Sequence, residues 1–168
     1  MKKSTIKLIA GNAILAALYA ALTVAISPIS YGNIQFRLSE ILIFLAFYDV
    51  RFIPGLILGC AIANLFSPLG LIDVLFGTLA TTLAVLGIFA TGKLTKRSDA
   101  ALFSVPVVGA IPNGLLVALS LHLAEGLPYW LSAIEVAAGE FAVLVAGALV
   151  FLAIGKIKAV RKILCWEW

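Results

Sequence analysis

The sequence predicts an all-α integral membrane protein: one domain over residues 1–168, six membrane-crossing helices, and both chain ends in the cytoplasm. Three observations predict it. The chain is 63% hydrophobic and only 12% charged, with a mean hydropathy of +1.16. A soluble domain is about 45–50% apolar and about 25% charged, and a small water-soluble fold has too little interior to hide that surplus. The apolar residues fall into six runs, and the basic residues fall almost entirely on one side of them.

A helix rising 1.5 Å per residue needs about 20 apolar residues to cross the hydrocarbon core. Runs of this kind occupy 9–27, 35–50, 52–66, 71–92, 101–123 and 130–157. The first is too long for the apolar region of a signal peptide and lacks a cleavage site, so no cleaved leader is expected. The second and third are short, and are expected to tilt little or to be shielded by neighbours. Asp49-Val50-Arg51 separates them, with Pro54 opening the third. Ser67-Pro68-Leu69-Gly70 is a turn signal before the fourth. Gly92 to Asp99 is the most polar stretch and reads as a loop, and Gly126-Leu127-Pro128 breaks the chain before the sixth run. No internal repeat or soluble domain is evident.

Orientation follows from charge. With the N-terminus inside, Lys2, Lys3, Lys7, Arg51, Lys93, Lys96, Arg97, Lys156, Lys158, Arg161 and Lys162 are cytoplasmic, and only Arg37 is outside. The net charge of +4 is thereby an orientation signal rather than a nucleic-acid patch. Tyr31, Tyr129 and Trp130 fall at the outer interface and Trp166 and Trp168 near the inner one, where aromatics anchor helices.

Small residues mark contact faces. Ala13, Ala17 and Ala21 form one row on the first span, with Ala16 and Ala20 beside it. Such a face lets another helix approach closely, whether from this chain or from a separate subunit. Gly55, Gly59 and Ala63 on the third span suit internal packing. Cys60 reads as a small core residue and Cys165 as an exposed thiol in the basic tail, without a disulfide framework.

Polar residues inside spans are costly in lipid and so point to a site. Gln35, Arg37, Ser39 and Glu40 cluster at the outer start of the second span, where Arg37 and Glu40, three apart, share a helical face. Asn64, Asp73, Asn113, His122 and Glu125 also fall toward the outer side, with Pro106 and Pro112 in the fifth span. Counted from Trp130, Glu135 and Glu140 lie about 7 and about 15 Å inward and roughly 140° apart around the helix. Each suits either a pocket or a structural role as an ion pair or protonated carboxyl. The inner half of the spans is almost purely apolar, which fits an outward binding pocket better than a pore or proton relay.

Enzyme signatures are missing. His122 is the only histidine, which excludes a zinc site of two or three imidazoles. There is no GxxxxGK[ST] loop for ATP and no Gly-x-Ser-x-Gly elbow. The chain is expected to be no enzyme and to hold neither metal nor cofactor.

Four segments resemble the QueT family of queuosine-precursor transporters: Ile34-Gln35-Phe36-Arg37-Leu38-Ser39-Glu40; Pro54 to Cys60 running on to Ala63-Asn64-Leu65; Gly70 to Thr81; and Gly139-Glu140. The likeness covers nearly the whole chain, and the second and third segments are its most specific parts. Six spans, an alanine-faced first helix and an outward pocket also resemble the substrate-binding S-component of an energy-coupling factor (ECF) transporter.

The resemblance implies a cell-membrane protein that captures 7-aminomethyl-7-deazaguanine or queuine from outside. It implies docking on a membrane T-component carrying two ATPase subunits, which hydrolyse the ATP, and toppling of the S-component to present its site to the cytoplasm. Ala13, Ala16, Ala17, Ala20 and Ala21 would form the docking surface. A guanine-like edge offers adjacent N–H donors to one carboxylate, and a cationic aminomethyl group calls for a second. Glu40 and Glu140 are the candidates, with the assignment between them open. Asn64 and Asn113 would serve the carbonyl and ring nitrogen, and Trp130 or Tyr129 would stack on the base. Arg37 would orient Glu40, and Asp73 would cap the fourth span. The preferred precursor, the sharing of the ATPases and the facing of Glu135 stay open. Alternatives are an S-component for another vitamin-like molecule, a stand-alone homo-oligomeric secondary transporter, or a small intramembrane enzyme using Glu135, Glu140 and His122.

Overall fold

The structure, a computed structural model, describes residues 3–32, 35–157, 160, 162 and 164. Lys2, Ile34, Lys158, Arg161, Cys165, Trp166 and Trp168, invoked above, lie outside the described residues. All regular structure among the described residues is helical. The helices are α1 (Lys3–Ala25), α2 (Ser27–Ser30), α3 (Phe44–Tyr48), α4 (Ile53–Asn64), α5 (Leu71–Leu94), α6 (Val105–Glu125) and α7 (Tyr129–Ile154). Short 3₁₀ turns, Leu38–Ile43, Val50–Phe52 and Asp99–Ser104, lead into α3, α4 and α6.

Thr5–Ala25, Leu71–Leu94, Asp99–Glu125 and Tyr129–Ile154 are long and apolar enough to cross a membrane, while Leu38–Tyr48 and Val50–Asn64 are shorter apolar helices. The protein is an all-α membrane protein with several membrane-length helices. The breaks follow local chemistry. Gly126 ends α6 in the left-handed region at φ 72°, and its N–H bonds the His122 carbonyl, as a glycine C-cap does. The loop expected at 92–99 is shorter, because α5 runs on to Leu94.

The elements form a ring. α1 packs on α4, α4 on α5, α5 on α6 and α6 on α7, and Leu38–Tyr48 closes the circle by touching α1, α5 and α7. Ile43, Phe44, Ala46 and Phe47 on this closing segment are fully buried, with Phe44 stacked on Phe151 of α7 at 5.2 Å between ring centroids. Neighbours cover it, so it needs no lipid-length apolar surface of its own. Lys7 and Arg51 share one end of the ring with the C-terminal ends of α5 and α7. Asn12 of α1 donates to the Arg51 carbonyl, Gly92 of α5 abuts the Phe47 carbonyl, and Gly155 lies against Tyr48.

Glycines set the α1–α4 distance. A side chain on Gly59 would begin 2.7 Å from Tyr19 Cβ and 2.9 Å from the Ala16 carbonyl, so only hydrogen fits there. This packing separates the two alanine rows of α1. Ala16 and Ala20 are buried within the chain, whereas Ala13, Ala17 and Ala21 are exposed. Of the two rows, the one left at the surface is therefore Ala13, Ala17 and Ala21.

Candidate functional site

The polar side chains of the ring meet inside it. Tyr19 on α1, Glu40 on the closing segment, Cys60 and Asn64 on α4, and Thr81 on α5 are each fully buried, and Asn113 on α6 and Glu140 on α7 are almost so. All six helical strips of the ring's wall thus send a polar group to one centre, and the surrounding apolar faces screen it from lipid and water.

The contacts are specific. Glu40 Oε1 accepts from the Tyr19 hydroxyl and from Thr81 Oγ1, the latter at 3.4 Å. Cys60 Sγ lies 3.1 Å from Thr81 Oγ1 and accepts from Asn64 Nδ2 at 3.3 Å. Gly77 lies against that amide, since a Cβ there would be 2.6 Å from Asn64 Nδ2. Asn113 Nδ2 donates to the Gly109 carbonyl at 3.1 Å and to Glu140 Oε1 at 3.4 Å. The Glu40 and Glu140 carboxyl groups are neighbours at this centre, close enough for each to act on the other. Glu40 Oε2, Asn64 Oδ1, Thr78 Oγ1 and Ser30 Oγ are buried without a hydrogen-bond partner. Such an atom costs about 1–3 kcal/mol until something bonds it, so the first two mark where a ligand would gain most.

Arg37 sits beside this centre but serves another partner. Its Nη2 meets Asp73 Oδ2 at 3.4 Å, its Nε donates to the Ser30 carbonyl at 3.3 Å, and its guanidinium lies 5.6 Å from the Tyr31 ring centroid. Ser120 of α6 donates to the other oxygen of Asp73 at 3.2 Å. The hydrogen-bonded pairing of Arg37 with Glu40 expected from their spacing is not made. Residue 37 is the extended residue before the 3₁₀ turn (φ −87°, ψ 94°), so its side chain leaves the face that Glu40 occupies. Asp73 lies in the first turn of α5, where a carboxylate is expected, and there it also pairs with Arg37.

Of the residues singled out in the sequence, Glu40, Asn64, Asn113 and Glu140 are gathered at the centre, with Arg37 alongside. Tyr129 and Trp130 are elsewhere. They pack edge to face at the start of α7, and Trp130 is 71% exposed on a wholly apolar groove of about 250 Å³ between α6 and α7. His122 bonds the Leu127 carbonyl at 2.7 Å, and Glu135 is half-buried. Sequence reasoning missed Tyr19, Thr81 and the bonding role of Cys60. Tyr19 did carry a signal, being a tyrosine in mid-span where only an interface position would suit its hydroxyl without a partner.

Comparison with known proteins adds a family. The QueT transporter family model matches residues 9–156. The queuosine precursor transporter QueT of Lactococcus lactis subsp. cremoris (strain MG1363) is 37% identical over 169 residues, covering 93% of this chain and 96% of that one. No solved structure matches. A family match over nearly the whole chain and a relative of almost equal length agree: the chain belongs to the QueT transporter family.

Proposed function

We propose that this membrane protein is the substrate-binding S-component of an ECF transporter, capturing a queuosine precursor, 7-aminomethyl-7-deazaguanine or queuine, from outside the cell for ATP-driven import. One observation carries the reading. Glu40 and Glu140 are buried side by side, and among the described residues neither has an ion-pair partner, because Arg37 is held by Asp73 and Arg51 by Asp49. Two carboxyl groups in an apolar ring call for a ligand that brings positive charge and N–H donors. An amine-bearing deazapurine has both.

The same reading takes six crossings, with Leu38–Tyr48 and Val50–Asn64 as two short spans shielded by neighbours, and puts both termini in the cytoplasm of a cell-membrane protein. The basic residues at one end of the ring support that orientation. ATP is hydrolysed on partner subunits, a T-component with two ATPases, since the chain carries no phosphate-binding glycine loop. The exposed row Ala13, Ala17 and Ala21 is the surface that the T-component would cover. No chemistry is done on the ligand.

The test is reconstitution. Vesicles carrying this chain with an ECF T-component and ATPases should accumulate 7-aminomethyl-7-deazaguanine only with ATP. Uptake that persists after the ATPases are removed would sink the S-component reading in favour of a stand-alone transporter.

A further inference from the structure

The hydrogen bonds around Cys60 run in one direction. The Tyr19 hydroxyl donates to Glu40 Oε1, and so does Thr81 Oγ1, because a carboxylate oxygen only accepts. With its single proton committed there, Thr81 Oγ1 must accept from the Cys60 thiol at 3.1 Å; the Gly77 carbonyl, at 3.7 Å, is the more distant acceptor. The sulfur, having donated, accepts from Asn64 Nδ2. Turned the other way, the Asn64 amide would set its oxygen against a sulfur lone pair. Proton counting therefore fixes the amide and leaves Asn64 Oδ1 and Glu40 Oε2, at the two ends of the chain, as buried acceptors without donors.

We infer that Cys60 is a positioning residue: through Thr81 and Asn64 it leaves Asn64 Oδ1 and Glu40 Oε2 as a pair of acceptors, so that this pair takes a ligand edge of N–H donors. Asn113 does not alter this, since its amide already donates to Gly109 and Glu140. The inference rests on the deazapurine reading and says which edge of the base this wall holds. The edge held at Asn64 and Glu40 is an aminopyrimidinone edge, whose ring N–H and exocyclic amine both donate. An adenine-like edge sets an acceptor nitrogen beside its amine and leaves one wall acceptor facing a lone pair, a mismatch that polar sites reject strongly.

The test measures binding to the full chain in lipid nanodiscs by calorimetry, using 7-deazaguanine, 7-deazahypoxanthine and 7-deazaadenine. The wild type should bind 7-deazaguanine at least about tenfold more tightly than 7-deazahypoxanthine and at least about a hundredfold more tightly than 7-deazaadenine. Cys60→Ala breaks the chain and should shrink both ratios, whereas Cys60→Ser, which still donates and accepts, should restore them. Thr81→Val breaks the same chain one residue on, and decides the matter if Cys60→Ala does not fold. Ratios unchanged in folded Cys60→Ala and Thr81→Val proteins overturn the role of Cys60. A wild type that prefers 7-deazaadenine overturns the acceptor pair but leaves the deazapurine reading intact. A wild type that binds none of the three, nor 7-aminomethyl-7-deazaguanine, overturns the deazapurine reading itself. The direction of the chain has its own readout: in a Cys165→Ser background, the infrared S–H stretch of Cys60 should shift on Thr81→Val, and an unmoved band overturns the direction assigned here.

Discussion

Tyr19 of α1 donates its phenolic hydrogen to Glu40, tying the middle of a membrane-length helix to the short segment that closes the ring. Glu40 Oε1 is thereby occupied and Oε2 is presented. Tyr19→Phe keeps the ring and its packing but removes one of the two donors, so Glu40 is less well held. The expected outcome is a loss of about tenfold in affinity for 7-aminomethyl-7-deazaguanine, the worth of one hydrogen bond to a charged group at about 1.5 kcal/mol, with little change in thermal unfolding. A large fall in unfolding temperature with affinity intact would make the contact structural.

Glu140→Gln preserves volume and removes the second carboxyl. It should weaken binding of the same ligand at least about tenfold, or about 1.4 kcal/mol. Titration of the purified variant measures this, and unchanged affinity in a folded protein would mean that the site lies elsewhere.

The Arg37–Asp73 pair is buried on both sides, so removing one partner leaves a charge stranded in the ring. Arg37→Met and Asp73→Asn are each expected to destabilise by about 3–5 kcal/mol. The Arg37→Met/Asp73→Leu double variant should recover much of this. Denaturant unfolding in detergent reads the difference, and additive losses in the double variant would contradict a pairwise origin.

The two alanine rows should respond differently to size. Ala17→Leu, on the exposed row, should leave ligand binding unchanged while reducing ATP-driven uptake in the reconstituted transporter. Ala16→Leu drives a side chain toward Gly59 and should instead destabilise the fold, by about 1–3 kcal/mol. If Ala17→Leu transports normally, that row is not where a partner docks.

The sequence made the membrane class and most of the polar centre legible, because each polar residue in a lipid-length run is an exception that must be explained. Glu40, Asn64, Asn113 and Glu140 stood out for that reason. Which of them meet was not legible. Arg37 is three residues from Glu40 and thirty-six from Asp73, and only the extended backbone at 37 sends it to the distant partner. The bonding of Cys60 and Thr81 was hidden because both residues pass for ordinary small packing groups in a membrane helix. The aromatic expectation failed to reach the centre for a related reason. Tyr129 and Trp130 start a helix, and the distance along α7 to Glu140 keeps them at the end of the ring.

The sealing of the polar centre also governs time. On the proposed reading, a ligand would reach Glu40 only during excursions in which the ring parts, so capture would be paced by how often the protein opens rather than by how often molecules collide with it. Association rates should then level off as ligand concentration rises. The affinity observed at equilibrium is the intrinsic one diminished by the rarity of the open state. Once shut, the same enclosure would slow escape and lengthen the ligand's residence.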